Sequence, residues 1–248
     1  MSIFDASQGW IAAILIGVIT ACVAFLVDVS VVTVSDWKLG YCSGSLLSNR
    51  QSCCSTVSPT LTGRVLEADC QKWHAWTTGF WKPFGVYAAF ALVFGLISSG
   101  VTVLTKRSLP AAAPGIGDGH AEVKGGEQGV VGKSIYMAAG SGIPEIKTIL
   151  SGFVIPYFLD FKVLVVKAVG SIFAVSTGMC LGKEGPFVHI STCAGWLVGQ
   201  QFPKYAENDR NMRELLSVAC SSGLSVAFGA PIGGVLFSYE VINPTVRL

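Results

Sequence analysis

The sequence GKEGPFVH, at residues 182–189, directly follows a nearly uninterrupted apolar run. A carboxylate at membrane depth is costly and is usually kept for a function, which makes Glu184 a candidate functional residue. Pro186 suits the first turn of a helix, and Gly182 and Gly185 let the backbone bend and approach a bound ion. The pattern predicts a helix that begins near Glu184 and points its free N–H groups at an anion. Because Glu184 is itself a tethered anion, it can occupy that site when deprotonated and leave it when protonated or displaced, as a gate does.

Two further segments repeat this design. GSGIPE at residues 140–145 places glycines and a proline before a helix-forming run, and GAPIGGVLF at residues 229–237 does the same. Ser141 adds a hydroxyl donor, and the amides after it would be unpaired at the helix start. Each motif alone could be ordinary helix punctuation. Together, three broken-helix starts in apolar surroundings indicate a transporter or channel whose ion site is built from half-helix ends.

In this order, GSGIPE (residues 140–145), GKEGP (residues 182–186) and GAPIGGVLFSYE (residues 229–240) resemble the first-half signatures of the CLC family of chloride channels and chloride/proton antiporters. The resemblance covers most of the chain, and its details are most similar to the fungal endosomal or vacuolar branch. It implies an all-α polytopic membrane protein with a CLC-type fold. This chain would be the first inverted repeat, with tilted and broken helices.

The resemblance also implies roles for individual residues. Glu184 would be the gating glutamate of a chloride pathway that responds to voltage or pH. Serine at position 141, where a proline accompanies nitrate preference in the family, implies chloride as the ligand. The expected chloride-binding residues are Ser141, Gly142, Ile143, Pro144, Gly185 and Phe187. No cofactor, metal or enzymatic activity is expected.

Lys167 lies in the middle of the apolar run before the gate motif. It could extend to a membrane interface or bind helix carbonyls. We favour a supporting charge that lowers the cost of an anion in the site, worth on the order of 1–2 kcal/mol, and the family has a basic residue at this offset. Asp28 and His189 are interpreted as groups that satisfy local polar partners and do not touch the ion.

Composition independently indicates a membrane protein. Apolar residues make up 51% of the chain and charged residues only 13%, about half the usual share in soluble domains. The net charge of +2 is small and the charged residues are scattered, which argues against a nucleic-acid partner. Lipid is then the expected surrounding medium. A membrane enzyme would need a nucleophile and base or a metal set, and the three histidines are scattered. A cation transporter would place several carboxylates facing its ion.

Hydropathy and charge predict a topology with a cytosolic N-terminus, because Lys106 and Arg107 directly follow the second apolar span. The predicted organisation is a cytosolic N-terminus (1–9), a transmembrane span (10–34), a luminal loop with cysteines (35–83), a second span (84–105), a flexible cytosolic loop (106–135), the anion-site half-helices (136–241) and an atypical tail (242–248).

The predicted luminal loop contains Cys42, Cys53, Cys54 and Cys70. A lumen permits disulfides, and four cysteines can pair in three ways. Free thiols are an alternative. Zinc bound by Cys53, Cys54, Cys70 and His74 is another, although adjacent cysteines without a C-x-x-C pair are poorly spaced for it.

Three functional alternatives stay open from the sequence. In exchangers of the family a second glutamate usually follows the position of Glu240, whereas Val241 stands here, as in the channel branch. Because residues 242–248 do not continue like the family, a chloride/proton antiporter remains an alternative to a channel. A non-conducting truncated partner of a full-length protein is the third. The resemblance further implies a homodimer for the full-length protein, in a Golgi, endosomal or vacuolar membrane, with the plasma membrane as the alternative.

Overall fold

The computed structural model describes residues 3–54, 72–77, 79, 81–108 and 134–239. Its helices are α1 (Ile3–Asp36), α2 (Arg50–Cys54), α3 (Trp81–Val103), α4 (Ile143–Leu150), α5 (Phe161–Ser176), α6 (Glu184–Gly199), α7 (Pro203–Ala206), α8 (Asp209–Phe228) and α9 (Pro231–Phe237). The strands of this part of the chain are β1 (Gly40–Cys42), β2 (Trp73–Ala75), β3 (Lys106–Ser108) and β4 (Ser134–Tyr136). The predicted all-α class is confirmed, since the strands form only two short hairpins.

Two helices of the described residues, α1 and α3, have the length and composition to cross a membrane. At 1.5 Å per residue, the 34 residues of α1 and the 23 of α3 reach roughly 50 Å and 35 Å, against a bilayer core of about 30 Å. Large apolar side chains such as Trp10, Phe25 and Leu96 lie exposed on their outer faces. Helix α1 already begins at Ile3, so residues 3–9, predicted as a cytosolic segment outside the span, belong to the helix.

The segment between α1 and α3 carries its own small structure, which we call the cap (residues 37–54 and 72–77). Strands β1 and β2 pair antiparallel, with Tyr41 opposite His74. Cys42 and Cys53 form a disulfide across Cα atoms 6.1 Å apart. Cys54 is also disulfide-bonded, and Cys70 lies outside the described residues. His74 lies in the hairpin with its ring against Tyr41, and the described residues contain no cluster that could hold a metal ion.

The two ends of the predicted cytosolic loop 106–135 pair with each other. Strands β3 and β4 pair antiparallel, with Arg107 opposite Ile135. The Thr105 hydroxyl accepts a hydrogen bond from the Ala138 amide at 3.1 Å and so joins the two ends. The glycine-rich centre, residues 109–133, lies outside the described residues, as does the predicted tail.

Helix α6 lies at the centre of the core, packed against α1, α5 and α8. Its contact with α8 is close: a Cβ on Gly223 would lie 2.7 Å from the Phe187 carbonyl oxygen. Small residues at such crossings let helix backbones approach within a membrane. The buried hydroxyls of Ser191 and Thr192 donate to the Val188 carbonyl at 2.9 and 2.7 Å, so these two side chains are satisfied within the helix.

After residue 136 the described chain folds into the short helices α4 to α9. Helix α4 ends at Leu150. The chain then turns through Gly152 and Tyr157, both with positive φ, before α5 begins. Pro156 favours an extended conformation in the residue before it, which keeps this stretch out of a helix.

Candidate anion site

The gate motif begins α6 as predicted, with Glu184 as the first helical residue and Lys183 as the N-cap. The Glu184 carboxylate folds back over Gly182, where any Cβ would overlap its Oε2 atom. Among the described residues it has neither a hydrogen-bond nor an ion-pair partner. A carboxylate with no partner at the positive end of a helix is free to leave that position when its charge is neutralised or displaced.

The second motif begins α4. Gly142 is the N-cap with φ 84°, a left-handed conformation that favours glycine, and Pro144 occupies the first turn. The Ser141 hydroxyl oxygen accepts a hydrogen bond from the Ile143 amide at 3.4 Å. Because that contact uses the oxygen as acceptor, the hydroxyl proton remains available to donate to an anion.

These two helix starts meet, although more than 40 residues separate them in the sequence. A Cβ on Gly185 would lie 2.7 Å from Ser141 Cβ, so only glycine permits this approach. On the other side, a Cβ on Gly142 would lie 2.7 Å from His189 Nδ1. The start of α4 is therefore clamped against the first turns of α6. The amides of both helix starts lie near one position, as a site built from half-helix ends requires.

Lys167 of α5 is 4% exposed and fixes the segment that leads into Ser141. Its ammonium donates to the carbonyl oxygens of Ala138 (3.0 Å), Ala139 (3.4 Å) and Gly140 (2.6 Å). These contacts match the alternative in which the lysine binds carbonyls. The same geometry places a positive charge beside the site and turns three carbonyl dipoles toward the lysine, away from an anion.

An open cavity of about 900 Å³ lies between α3, α5 and the two helix starts. Five of the residues predicted from the sequence line it: Ser141, Ile143, Lys167, Glu184 and Gly185. Gly142, Pro144 and Phe187 do not. Phe187 turns into the core and Gly142 lies beneath His189, so these two could contribute only backbone groups to an anion. Pro144 is exposed on the far side of its turn.

Asp28 and His189 each contact a local polar group, as the sequence suggested, but the buried Nδ1 atom of His189 has no hydrogen-bond partner among the described residues. Asp28 of α1 forms an ion pair with Lys183 at 2.8 Å, which keeps this ammonium away from the neighbouring Glu184. His189 is fully buried, with Nε2 at 3.1 Å from the Phe158 carbonyl oxygen and its ring stacked on Phe158.

The wall of the cavity on α3 carries hydroxyl groups that were not predicted from the sequence. Ser98, Ser99 and Thr102 line it. Ser98 donates to the Gly170 carbonyl of α5 at 2.9 Å, and Thr102 donates to the Ser98 carbonyl at 2.8 Å. The signal was present, because three hydroxyl residues within one turn and a half are unusual in an otherwise apolar membrane helix.

Helix N-termini that converge on a cavity inside a membrane-spanning helical chain define an anion-handling membrane protein. Comparison with known proteins agrees with this class. The family model described as "Voltage gated chloride channel" matches residues 129–248. Residues 129–248 belong to this family, the CLC family.

Individual relatives extend the match over nearly the whole chain. The H(+)/Cl(−) exchange transporter 5 of Rattus norvegicus is 36% identical over 98% of this chain. The H(+)/Cl(−) exchange transporter 3 of Pongo abelii is also 36% identical over 98% of it. The chain spans only 27% and 28% of the length of these relatives. A crystal structure of a eukaryotic CLC transporter matches with a TM-score of 0.61 and 25% identity, covering 98% of this chain and 35% of that one.

Proposed function

We propose that this chain forms one half of a chloride transport pathway in which Glu184 is the gate. The observation that carries the proposal is the contact between Gly185 and Ser141, which brings two helix starts together at a cavity. Glu184 lies at the edge of the same cavity without a partner among the described residues. Donors and a displaceable carboxylate thus share one position.

The gate works by competition between two anions. The deprotonated Glu184 side chain takes the position in front of the α6 amides and excludes chloride. Protonation removes the charge that the helix end favours, so the side chain leaves and chloride replaces it. Ser141 donates its hydroxyl proton to the bound chloride, and hydrogen bonds to a charged group are worth about 1.5–3 kcal/mol each.

The test is chloride efflux from proteoliposomes between pH 4 and 8, with Glu184→Gln as the variant. The amide cannot ionise, so flux should become independent of pH and stay high at neutral pH. Glu145→Gln is the matched control, because Glu145 lies in the first turn of α4 but does not line the cavity. An unaltered pH profile in the Glu184 variant would show that this residue is not the gate.

Coupling of chloride to protons is the second candidate, and the similarity to H(+)/Cl(−) exchange transporters favours it. A chloride gradient would then drive proton movement, which a pH-sensitive dye inside the vesicles detects. Chloride flux without acidification or alkalinisation identifies a channel. If chloride flux is absent and stays absent when a second half is expressed separately and added, the chain is the non-conducting alternative.

We further propose that the protein acts in a Golgi, endosomal or vacuolar membrane, with the plasma membrane as the alternative, and that the full-length protein forms a homodimer. Apolar side chains exposed on α9, such as Ile232 and Leu236, are compatible with either a subunit or lipid as neighbour. Co-localisation with compartment markers and mass measurement in detergent test the two statements separately.

A further inference from the structure

A second cavity lies between the cap and the start of α3. Its volume is about 390 Å³, and apolar or aromatic side chains make up most of the lining, among them Leu39, Trp76, Phe84 and Tyr87. One charged side chain, Lys38, also lines it. This cavity shares no lining residue with the one at Glu184.

Lys38 is 7% exposed, so most of this residue is removed from solvent. Its Nζ donates to the Tyr87 hydroxyl at 3.2 Å and lies 4.4 Å from the centre of the Tyr87 ring. No carboxylate of the described residues lies within ion-pair distance of it. Asp36, two residues earlier, is engaged elsewhere, because its Oδ2 accepts from the Arg50 amide at 2.7 Å.

An ammonium that is held among apolar groups with only a neutral partner is destabilising unless an anion or water compensates it. An ammonium has three protons to donate, and the hydroxyl and ring of Tyr87 use only part of that capacity. The remaining donors lie beside an open cavity, which an anion can reach. We propose that the cavity under the cap binds a small monovalent anion, of which chloride is the abundant example, on the ammonium of Lys38.

The charge and the lining select this class of ligand. One ammonium compensates one negative charge, so a dianion would leave a charge unpaired in apolar surroundings. Chloride, bromide and iodide shed water more readily than strongly hydrated anions, which suits a wall of indole, phenol and phenyl rings. A lipid phosphate would need further donors, and Lys38 is the only charged side chain among the described residues of the lining.

The site contacts the loop that precedes the gate. Gly178, with φ 86°, lies directly against the Tyr87 hydroxyl, and a Cβ placed there would be 3.2 Å from Lys38 Nζ. Four residues further on, the backbone reaches Gly182, over which Glu184 is folded. The proposed anion site therefore lies against the loop that leads to Glu184.

Trp76 provides a reporter that does not depend on transport. Its ring lines the cavity, and its indole N–H is fixed by donation to the Trp37 carbonyl at 2.7 Å. Iodide quenches indole fluorescence on contact. The intact chain in detergent is titrated with sodium iodide at constant ionic strength, maintained with sodium sulfate. We expect a saturable quenching component that chloride competes away.

Three variants decide the result. Trp76→Phe should remove the saturable component. Lys38→Met should weaken the apparent affinity for iodide at least about tenfold, because a charge-assisted contact is lost. Lys38→Arg should retain the saturable component. Ser141→Ala is the control for the central site and should leave the saturable component unchanged. Failure of the proposed chloride pathway would not alter these results, since no flux is measured.

Linear quenching in the unmodified chain, or a saturable component that survives Trp76→Phe, overturns the proposal. Because Trp76 is partly exposed, its substitution tests the site even if Lys38→Met fails to fold. A saturable component lost in Ser141→Ala but kept in Lys38→Met would assign the anion to the central site instead.

Discussion

The three proline-containing motifs look alike in the sequence but have different fates in the structure. The first two begin α4 and α6, which meet at the cavity through Ser141 and Gly185. The third begins α9, and none of its residues lines that cavity. A glycine–proline helix start is therefore not by itself an anion site. What distinguishes the first two is the pair of side chains they carry, a fixed hydroxyl and a free carboxylate.

The third motif serves helix packing. Gly229 ends α8 in a left-handed conformation with φ 61°, and α9 folds back on α8. Gly234 lies so close to α8 that a Cβ would be 2.9 Å from the Ser225 amide nitrogen. The glycines of the third motif thus allow α8 to end and α9 to pack closely on it. The glycines of the other two motifs allow two helix starts to meet.

The largest expected effect in this comparison comes from Lys167→Met. The change leaves the carbonyls of Ala138, Ala139 and Gly140 without their charged donor, so the free energy of unfolding should fall by about 3 kcal/mol or more. Denaturant titration followed by tryptophan fluorescence measures this. Lys162→Met on the exposed start of the same helix is the control and should change it by less than about 0.5 kcal/mol. If the two variants changed the free energy of unfolding equally, Lys167 would not be the residue that stabilises the segment before Ser141.

Ser141→Pro should have the next largest effect. It deletes the hydroxyl donor, and the loss of one hydrogen bond to a charged group should change the chloride-to-nitrate preference about tenfold or more. Competitive flux of the two anions gives the ratio. Ser98→Ala is matched to it, because Ser98 lines the same cavity but already donates to Gly170. If Ser98→Ala changed the preference and Ser141→Pro did not, the anion would lie against α3.

Asp28→Asn should shift the gate modestly. Without Asp28, the Lys183 ammonium becomes available to the neighbouring Glu184 and stabilises its ionised form. More acid is then needed to open the gate, so the pH midpoint of chloride flux should fall, by less than about one unit because the pair is partly exposed. Glu214→Gln, which breaks the exposed Arg210–Glu214 pair, should leave the midpoint in place. A midpoint that rises would mean that Lys183 is not released toward Glu184.

The smallest effects test the third motif. Gly229→Ala forces a left-handed conformation on a residue with a Cβ and should cost about 1–2 kcal/mol of stability. Gly233→Ala should stabilise α9 by up to about 1 kcal/mol, because a Cβ there meets Ala230 only at 3.6 Å. Neither variant should change the chloride-to-nitrate preference. A selectivity change in either one would place α9 in the anion pathway after all.

Local patterns predicted the helix starts well and the long-range pairings poorly. The start of α6 at Glu184 followed from Pro186 and the flanking glycines, because these residues act through their own backbone conformations. The ion pair between Asp28 and Lys183 could not be predicted, since 155 residues separate its members and only the packing of α1 on α6 joins them. For the same reason, four cysteines allowed three pairings, and the structure places Cys42 beside Cys53.

The sequence alone determined a helical membrane protein with broken helices and singled out Ser141, Lys167 and Glu184. The apolar content, the lengths of the hydrophobic runs and the three glycine–proline motifs were enough for this. These properties depend on the hydration cost and backbone preference of each residue and its neighbours in the sequence. They can therefore be predicted from short stretches of sequence. Tertiary structure decided which motifs share a cavity, that Lys167 binds three carbonyls and that Lys38 lies buried under a cap. Such features depend on which surfaces meet after folding, and contacts across long separations leave no periodic signal in a single chain.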